Sequence, residues 1–89
     1  KERNMQMNQE QRATEFAVFC IENTATRLQC TGFEVFQELQ RTDGIKRFLF
    51  PSYPILHTQS KEYIVDEVLE YISRHNPTFV ELHRKEEQS

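Results

Sequence analysis

Apolar positions recur at helical spacing along two long stretches of the chain. From Gln9 to Gln29 there is neither glycine nor proline, and apolar side chains fall three and four residues apart. A second stripe of this kind runs from Lys61 to about Arg74. We therefore predict two long helices that form most of the core. Their inward positions are Ala13, Phe16, Ala17, Cys20, Ile21, Thr24 and Leu28 in the first, and Ile64, Val65, Val68, Leu69, Tyr71 and Ile72 in the second.

A capping signal predicts another helix between these two. Thr31 is followed three residues later by Glu34, so each side chain can satisfy the other's backbone N–H in a capping box. The helix should run from about Gly32 to Arg41. Gly44 should end it, since glycine readily takes the left-handed conformation at a helix C-terminus. The side chains expected to be buried are Phe33, Val35, Phe36 and Leu39.

Two prolines shape the segment before the second long helix. The run 45–50 predicts a short helix that stops before Pro51, because proline disfavours helical angles in the residue that precedes it. Residues 51–58 are expected to form an extended connection, after which Thr58 or Ser60 caps the next helix. The side chains expected to pack on the core are Tyr53, Ile55 and Leu56.

The C-terminal region predicts a fifth helix. Asn76 and Pro77 form both a stop signal for the preceding helix and a cap with proline at the first helical position. The fold class predicted is thus all-α: a compact orthogonal bundle of four or five helices, resembling a helix-turn-helix. It forms a single domain over residues 1–89, with its core at about 9–75, a C-terminal helix or tail at 77–89, and a polar lead-in at 1–8.

Charge and cysteine content narrow the range of partners. The net charge of −3 and the pI of about 5.6 oppose binding to phosphate backbones or anionic lipid, so nucleic acid is disfavoured as a partner. No apolar run approaches the roughly 20 residues that cross a bilayer. Two cysteines do not make a disulfide framework, which favours reduced thiols and a cytoplasmic location.

No established catalytic or cofactor motif occurs in the chain, so we predict a protein that is not an enzyme and needs no cofactor. Cys20 and His57 could in principle pair as nucleophile and base. Cys20, however, lies on the apolar face of the first helix, where a cysteine usually acts as a small hydrophobe. No metal site is predicted either, because no structural zinc spacing is matched by Cys20, Cys30, His57, His75 and His83.

Two aromatic residues fall on polar helix faces and suggest contact with a partner. At 100° per residue Phe19 lies among charged positions, and Tyr63 does the same in the second long helix. Each ring is either covered by another segment, such as the fifth helix, or exposed for a partner. Beside Tyr63 runs an acidic column of Glu62, Asp66 and Glu70. The helix dipole, a basic partner, or the tail residues His83, Arg84 and Lys85 of this chain or a neighbour could compensate this column.

The stretch 25–39 also has the look of a helix-turn-helix, which gives a DNA-binding regulator as the alternative function. Two features argue against it. Gln29 stands where a tight-turn glycine is expected, and the outward positions of the second helix include acidic residues. The basic cluster available for DNA contact is Arg41, Lys46 and Arg47.

Three motifs, FAVFCIENTATRL, TGFEVF and YPILHTQSKEYIVDEVLEYI, resemble a family of short bacterial domains of unknown function with FxxxCIE and LHTQ…YIVDE signatures. The resemblance covers about residues 12–74. It implies a small, cytoplasmic, helical protein without assigned activity. Genes for some members of the family lie beside genes for ADP-ribosyltransferase-like proteins. That arrangement would suit a partner or antitoxin role. It supplies no catalytic residues.

The LHTQ motif places His57, Thr58 and Gln59 just before a predicted helix. There they could receive an anion or a partner carboxylate, or Thr58 could cap the helix while His57 bonds the backbone. The function we favour is a protein-interaction module that binds a protein partner or a second copy of itself, as a regulatory or antitoxin-like partner of another protein. A helix-turn-helix regulator is the alternative, and a thiol enzyme using Cys20 is third.

Overall fold

A computed structural model describes the backbone of residues 2–88 and the side chains of residues 10–83. Over that range the chain forms helices and turns, with no strand. The α-helices are α1 (Glu2–Leu28), α2 (Gly32–Arg41), α3 (Phe50–Leu56), α4 (Lys61–His75) and α5 (Pro77–Gln88), and a π-helical segment, Ile45–Leu49, leads directly into α3. The predicted all-α bundle is confirmed. The first helix begins at Glu2 and not at Gln9, so the expected lead-in is helical where it is described.

The core lies mainly between α1 and α4, as predicted. Both helices present apolar stripes at helical spacing, and burying each large aliphatic side chain contributes roughly 1.5–3 kcal/mol. α2, the π-helical segment, α3 and α5 close the remaining sides. The buried apolar residues are Phe16, Ala17, Cys20, Ala25 and Leu28 of α1; Ile64, Val65, Val68, Leu69 and Ile72 of α4; and Val35, Leu39, Leu49, Leu56 and Val80 of the other elements.

The junction between α1 and α2 is built from backbone and capping hydrogen bonds. The Cys30 N–H donates to Ala25 O (3.0 Å) and the Gln29 N–H to Thr26 O (3.2 Å), the paired bonds that close a helix C-terminus. Gln29 takes the left-handed φ of 59° that such an ending requires. The predicted capping box is confirmed: Glu34 N donates to Thr31 Oγ1 and Thr31 N to Glu34 Oε2, both at 3.1 Å.

The inward face of α2 differs from the prediction. Val35 and Leu39 are fully buried, but Phe33 is 65% exposed and Phe36 is 39% exposed. Phe33 and Val35 are two residues apart, so they project about 200° from one another around the helix and cannot both face the core. Glu38 occupies a buried position instead, where its Oε2 accepts from Asn76 Nδ2 at 2.9 Å.

The prediction that Gly44 provides a left-handed C-cap is wrong. Gly44 has a right-handed φ of −71°, and the left-handed residue is Asp43, with φ of 60°. Gly44 is needed for space instead. A Cβ built on it would lie 2.7 Å from Tyr71 Cε2 and 2.9 Å from Leu39 Cδ2, both in the packed interior.

The extended connection predicted over 51–58 is also wrong, because the chain continues into α3 with Pro51 in its first turn. Pro51 has no backbone N–H to donate to Arg47 O, and the residues before it form a wider π turn in which the Phe50 N–H donates to Ile45 O. Leu56 is buried as expected and Tyr53 packs edge-on against Phe16, but Ile55 is 69% exposed.

α5 packs on its own chain. Asn76 Oδ1 accepts from the Phe79 N–H at 3.4 Å, which confirms the predicted start of the helix. Val80 is buried in the core and Phe79 packs partly against it. Within the described part of the chain, no helix combines the length and apolar character that crossing a membrane requires.

The buried hydroxyl of Thr24 allows the cost of an unsatisfied polar group in the core to be tested. Its hydroxyl is buried and has no hydrogen-bond partner among the described residues. An unsatisfied buried group costs about 1–3 kcal/mol, so Thr24→Val should raise the free energy of unfolding by about 1 kcal/mol in urea denaturation. The control is Thr26→Val in the same helix, whose exposed hydroxyl already donates to Glu22 O; it should change stability by less than about 0.5 kcal/mol.

Gly44→Ala should lower the free energy of unfolding by about 1–3 kcal/mol, because the added methyl group must displace Tyr71 or Leu39. Gly32→Ala is the matched control. A Cβ there would lie 3.3 Å from Oε2 at the end of the flexible Glu22 side chain and at ordinary contact distance, 3.7 Å, from Ile21 Cγ2, so the change in stability should be less than about 0.5 kcal/mol. Equal effects of the two substitutions would show that the Gly44–Tyr71 approach does not constrain the fold.

Candidate functional site

Exposed aromatic side chains of α2 border an open concavity of about 600 Å³. Its walls come from α2 between Phe33 and Arg41 and from Phe79 of α5. We call Phe33, Phe36 and Phe79, with their polar neighbours, the α2–α5 surface. Phe33 and Phe36 are three residues apart and so lie side by side on the helix. Sequence reasoning assigned both to the core, and this surface is the feature that it missed.

A polar network borders the same surface. Glu38 Oε2 accepts from Arg41 Nη2 at 3.1 Å and from Asn76 Nδ2 at 2.9 Å. The Glu38 side chain is 8% exposed, whereas that of Arg41 is 66% exposed. The network therefore holds α2 against the α4–α5 junction with satisfied hydrogen bonds, and Arg41 remains accessible at the edge of the apolar patch.

A second concavity, of about 310 Å³, surrounds Phe19. It brings Phe19 together with His57 and Gln59, two residues of the LHTQ motif. Phe19 is 39% exposed. The residues that flank its ring in this concavity come from α1, α3, the α3–α4 turn and α4, so the fifth helix is not the cover. Contact of Phe19 with a partner stays a prediction.

Tyr63 and the acidic column lie on the exposed face of α4, and Tyr63 is 47% exposed. Asp66 Oδ1 accepts from Arg27 Nη2 of α1 at 2.7 Å, and Glu70 pairs with Arg74 at 3.1 Å. Glu62 lies in the first turn, where the helix dipole favours a carboxylate. Internal arginines thus partly compensate the column, and such exposed ion pairs contribute only about 0–1 kcal/mol each.

The basic tail residues do not all fall within the described side chains. Arg84 and Lys85 lie outside the described residues. His83 is described: its Nε2 lies 3.5 Å from Glu34 Oε1 of α2, and it makes no ion pair with the acidic column. Compensation of the column by this chain's own His83 is therefore wrong, and compensation by a neighbouring chain stays a prediction.

The LHTQ motif ends α3 instead of starting α4. His57 is the C-cap of α3, Thr58 Oγ1 donates to Ile55 O at 2.9 Å, and the Gln59 N–H donates to Leu56 O at 2.9 Å. Ser60 is the residue that caps α4, accepting from the Tyr63 N–H. The expectation that Thr58 caps this helix is wrong, whereas the backbone bond expected for His57 is present.

All three histidines share one local arrangement. Each follows an aromatic residue by four positions, contacts its ring at a centroid distance of 4.3–4.5 Å, and places Nδ1 within 2.6–2.9 Å of that residue's carbonyl oxygen. A carbonyl only accepts hydrogen bonds, so Nδ1 carries the proton and Nε2 is the free acceptor in the neutral ring. The pairs are Tyr53–His57, Tyr71–His75 and Phe79–His83.

The candidate DNA-contact residues are exposed, but two of them are paired with acids of the same chain. Arg41 pairs with Glu38, and Arg47 Nε lies 3.4 Å from Asp43 Oδ2. Lys46 is exposed. Gln29 adopts the left-handed backbone that a tight turn needs, which removes one of the two sequence objections to a helix-turn-helix. The other objection is reduced to Glu34, because Glu38 is buried and does not lie on the outward face of α2.

Cys20 is fully buried, and burial raises the pKa of its thiol to about 12. A thiol of that pKa is protonated at neutral pH and is a poor nucleophile. His57 lies on the surface, where its Nδ1 bonds Tyr53 O and its ring stacks on Tyr53. The third function, a thiol enzyme that uses Cys20, therefore gains no support from this geometry.

Comparison with known proteins identifies one related family. A family model described as "Protein of unknown function (DUF3791)" matches residues 15–75. That span begins within α1 and ends with α4. It agrees with the 12–74 region whose motifs resemble a domain of unknown function. α5 lies beyond the match. No curated protein and no solved structure matches the chain.

The raised pKa of Cys20 leads to a reactivity test in a Cys30→Ser variant, where Cys20 is the remaining thiol. Raising the pKa from 9.0 to about 12 lowers the thiolate fraction at pH 8 from about one tenth to about one ten-thousandth. Iodoacetamide should therefore label the native protein only as it unfolds, and label it fully in urea. Because the folded state binds this proton more tightly than the unfolded chain, the Cys20 thiol also contributes to the free energy of unfolding. That contribution is fully present below pH 9 and is lost as the pH rises towards 12. Labelling of native and unfolded protein at equal rates would contradict the burial.

Proposed function

The chain belongs to the DUF3791 family of proteins of unknown function, and we propose that it is a non-enzymatic protein-interaction module that binds its partner through the α2–α5 surface. The observation that carries this proposal is the exposure of Phe33. Almost two thirds of its surface faces water, and Phe36 extends the same apolar patch. Fully burying an exposed phenylalanine contributes roughly 1.5–3 kcal/mol, so covering the exposed part of Phe33 would contribute about 1–2 kcal/mol and that of Phe36 less.

The position of Phe33 makes a role in this chain's own core a poor explanation for the aromatic ring. Val35 and Leu39 already fill the inward face of α2 and are both fully buried. A polar residue at position 33 would satisfy the fold equally well and would avoid the hydration cost of an exposed ring. Exposed aromatic residues beside a concavity are typical of the anchoring residues of protein interfaces.

The charges around the patch favour a partner of defined chemistry. Among the residues that line the concavity Arg41 compensates Glu38, so Glu34 leaves one net negative charge there, and the chain carries a net charge of −3. A partner that presents apolar side chains flanked by lysine or arginine would match this surface, since complementary charges speed association and select the orientation. As a regulatory or antitoxin-like module, the chain would hold such a partner without transforming it.

The surface around Phe19 and Tyr63 is a second candidate contact. Phe19 and Phe36 are equally exposed, at 39%, and Tyr63 is 47% exposed. Glu62 is the member of the acidic column best placed for a basic partner, because Asp66 and Glu70 already pair with arginines of this chain. The concavity around Phe19 is also smaller than the one on the α2–α5 surface, at about 310 Å³ against about 600 Å³.

A helix-turn-helix regulator is supported only by the left-handed Gln29 turn. Reading DNA would require the outward face of α2 to approach phosphates, yet that face carries Glu34. Arg41 and Arg47 would first have to leave Glu38 and Asp43. The protein-interaction proposal needs no such rearrangement.

The test is affinity purification of the tagged chain from a lysate of its native host, with and without nuclease, read by mass spectrometry. Wild-type protein should retain a stoichiometric protein partner after nuclease treatment. Phe33→Ala/Phe36→Ala should lower its recovery or affinity at least tenfold, because two anchoring rings are removed. Both side chains lie outside the core, so circular dichroism should show the fold unchanged.

Two further variants locate the contact. Phe19→Ala/Tyr63→Ala removes a comparable exposed aromatic pair on the other surface, and Ile55→Ala removes an apolar side chain that is 69% exposed on α3. Loss with the Phe19/Tyr63 pair alone would move the contact to that surface. Wild-type recovery with both double variants would refute the proposal. Nucleic acid without a nuclease-resistant protein would favour the helix-turn-helix alternative.

A further inference from the structure

Three side chains distant in sequence converge where the α1–α2 turn meets α5. Cys30 lies in the turn, Glu34 in the first turn of α2 and His83 in α5. Their ligand atoms, a thiol sulfur, a carboxylate oxygen and an imidazole nitrogen, all lie within 4.8 Å of one another. Cys30 and His83 are partly buried, with the His83 side chain 14% exposed, whereas the Glu34 side chain is 45% exposed and reaches the cluster from the surface. We propose that Cys30, Glu34 and His83 form a binding site for a divalent transition metal, of which Zn²⁺ fits best.

The distances suit a small tetrahedral ion. Bonds of about 2.0–2.3 Å to zinc place neighbouring ligand atoms about 3.3–3.7 Å apart. His83 Nε2 and Glu34 Oε1 are already 3.5 Å apart. The other two pairs of ligand atoms are at most 4.8 Å apart, so each would have to close by no more than about 1–1.5 Å on binding. Three protein ligands leave the fourth position for water.

Hydrogen bonds to neighbouring groups orient two of the three ligands, His83 and Glu34. His83 Nδ1 lies 2.8 Å from Phe79 O, so Nδ1 carries the proton and Nε2 directs its lone pair towards Glu34. Thr31 donates to Glu34 Oε2 from both its N–H and its hydroxyl, each at 3.1 Å, which leaves Oε1 to face the histidine. These bonds also lower the pKa of Glu34, so its carboxylate is available as a ligand.

The ligand chemistry selects the metal. A thiolate and an imidazole prefer zinc, cobalt or nickel, whereas magnesium and calcium prefer an all-oxygen set. On binding, the Cys30 thiol releases its proton to solvent, and one thiolate with one carboxylate balances the two positive charges of the ion. The ion would tie α5 to the α1–α2 turn. This inference does not depend on the proposed protein partner.

The experiment titrates purified, reduced, tag-free full-length protein with Zn²⁺ against a chromophoric chelator, and with Co²⁺ by absorption spectroscopy. One ion per chain should bind. The cobalt form should show visible bands of four-coordinate geometry and a thiolate-to-metal charge-transfer band in the near ultraviolet. Zn²⁺ should also raise the melting temperature, because it binds only the folded arrangement.

Cys30→Ser, Glu34→Gln and His83→Gln should each lower zinc affinity by at least 10–100-fold, and Cys30→Ser should abolish the charge-transfer band. Glutamine at position 34 keeps the capping box, so this variant separates metal binding from folding. His75→Gln is the matched control, since His75 shares the carbonyl bond and aromatic contact of His83 but lies outside the cluster. Absence of saturable binding, or unchanged affinity in all three ligand variants, would overturn the site.

Discussion

The approach of Tyr71 to Gly44 fixes how the helices of this chain meet. The Tyr71 ring occupies the space where a side chain at position 44 would begin, its hydroxyl donates to Thr42 O at 2.9 Å, and it stacks on Phe48 at 4.9 Å. One residue of α4 therefore holds the end of α2 and the π-helical segment together. This contact sets the rotation of α2 about its axis, so that Leu39 faces the core. Val35, one turn earlier on the same face, is therefore buried as well. The exposure of Phe33 is a consequence of this packing.

A second interaction extends the same constraint to α5. Glu38 is buried between the guanidinium of Arg41 and the amide of Asn76, and a buried carboxylate is tolerated only when such donors satisfy it. Asn76 in turn accepts from the N–H of Phe79 and starts α5. The direction of α5 thus depends on a carboxylate of α2. That direction brings Phe79 beside the α2 aromatic residues and carries His83 to the α1–α2 turn.

Local signals were enough to predict most of the helices. The capping box at Thr31, the cap at Asn76 and the apolar stripes of α1 and α4 depend on residues within one or two turns, and all are present. The errors arise where contacts between residues distant in sequence determine the local structure. Gly44 serves a contact with a residue 27 positions later in the chain, and the π turn before Pro51 has no local signature. The exposure of Phe33 could have been predicted, because a helical wheel places it opposite Val35. The convergence of Cys30 and Glu34 with His83 could not, since sequence spacing shows only ligands that are close along the chain.

The α2–α5 surface and the proposed metal site share Glu34 and the helix α5. Glu34 lies at the edge of the apolar concavity and also faces His83, and Phe79 lines that concavity one turn before His83. An ion held between Glu34 and His83 would restrain α5 against α2 and so fix the wall that Phe79 contributes. A partner bound across Phe33, Phe36 and Phe79 would restrain the same two helices. The ion would also balance the negative charge of Glu34, which a basic partner would otherwise use, so the two ligands would share the restraint on α5 but compete for this carboxylate.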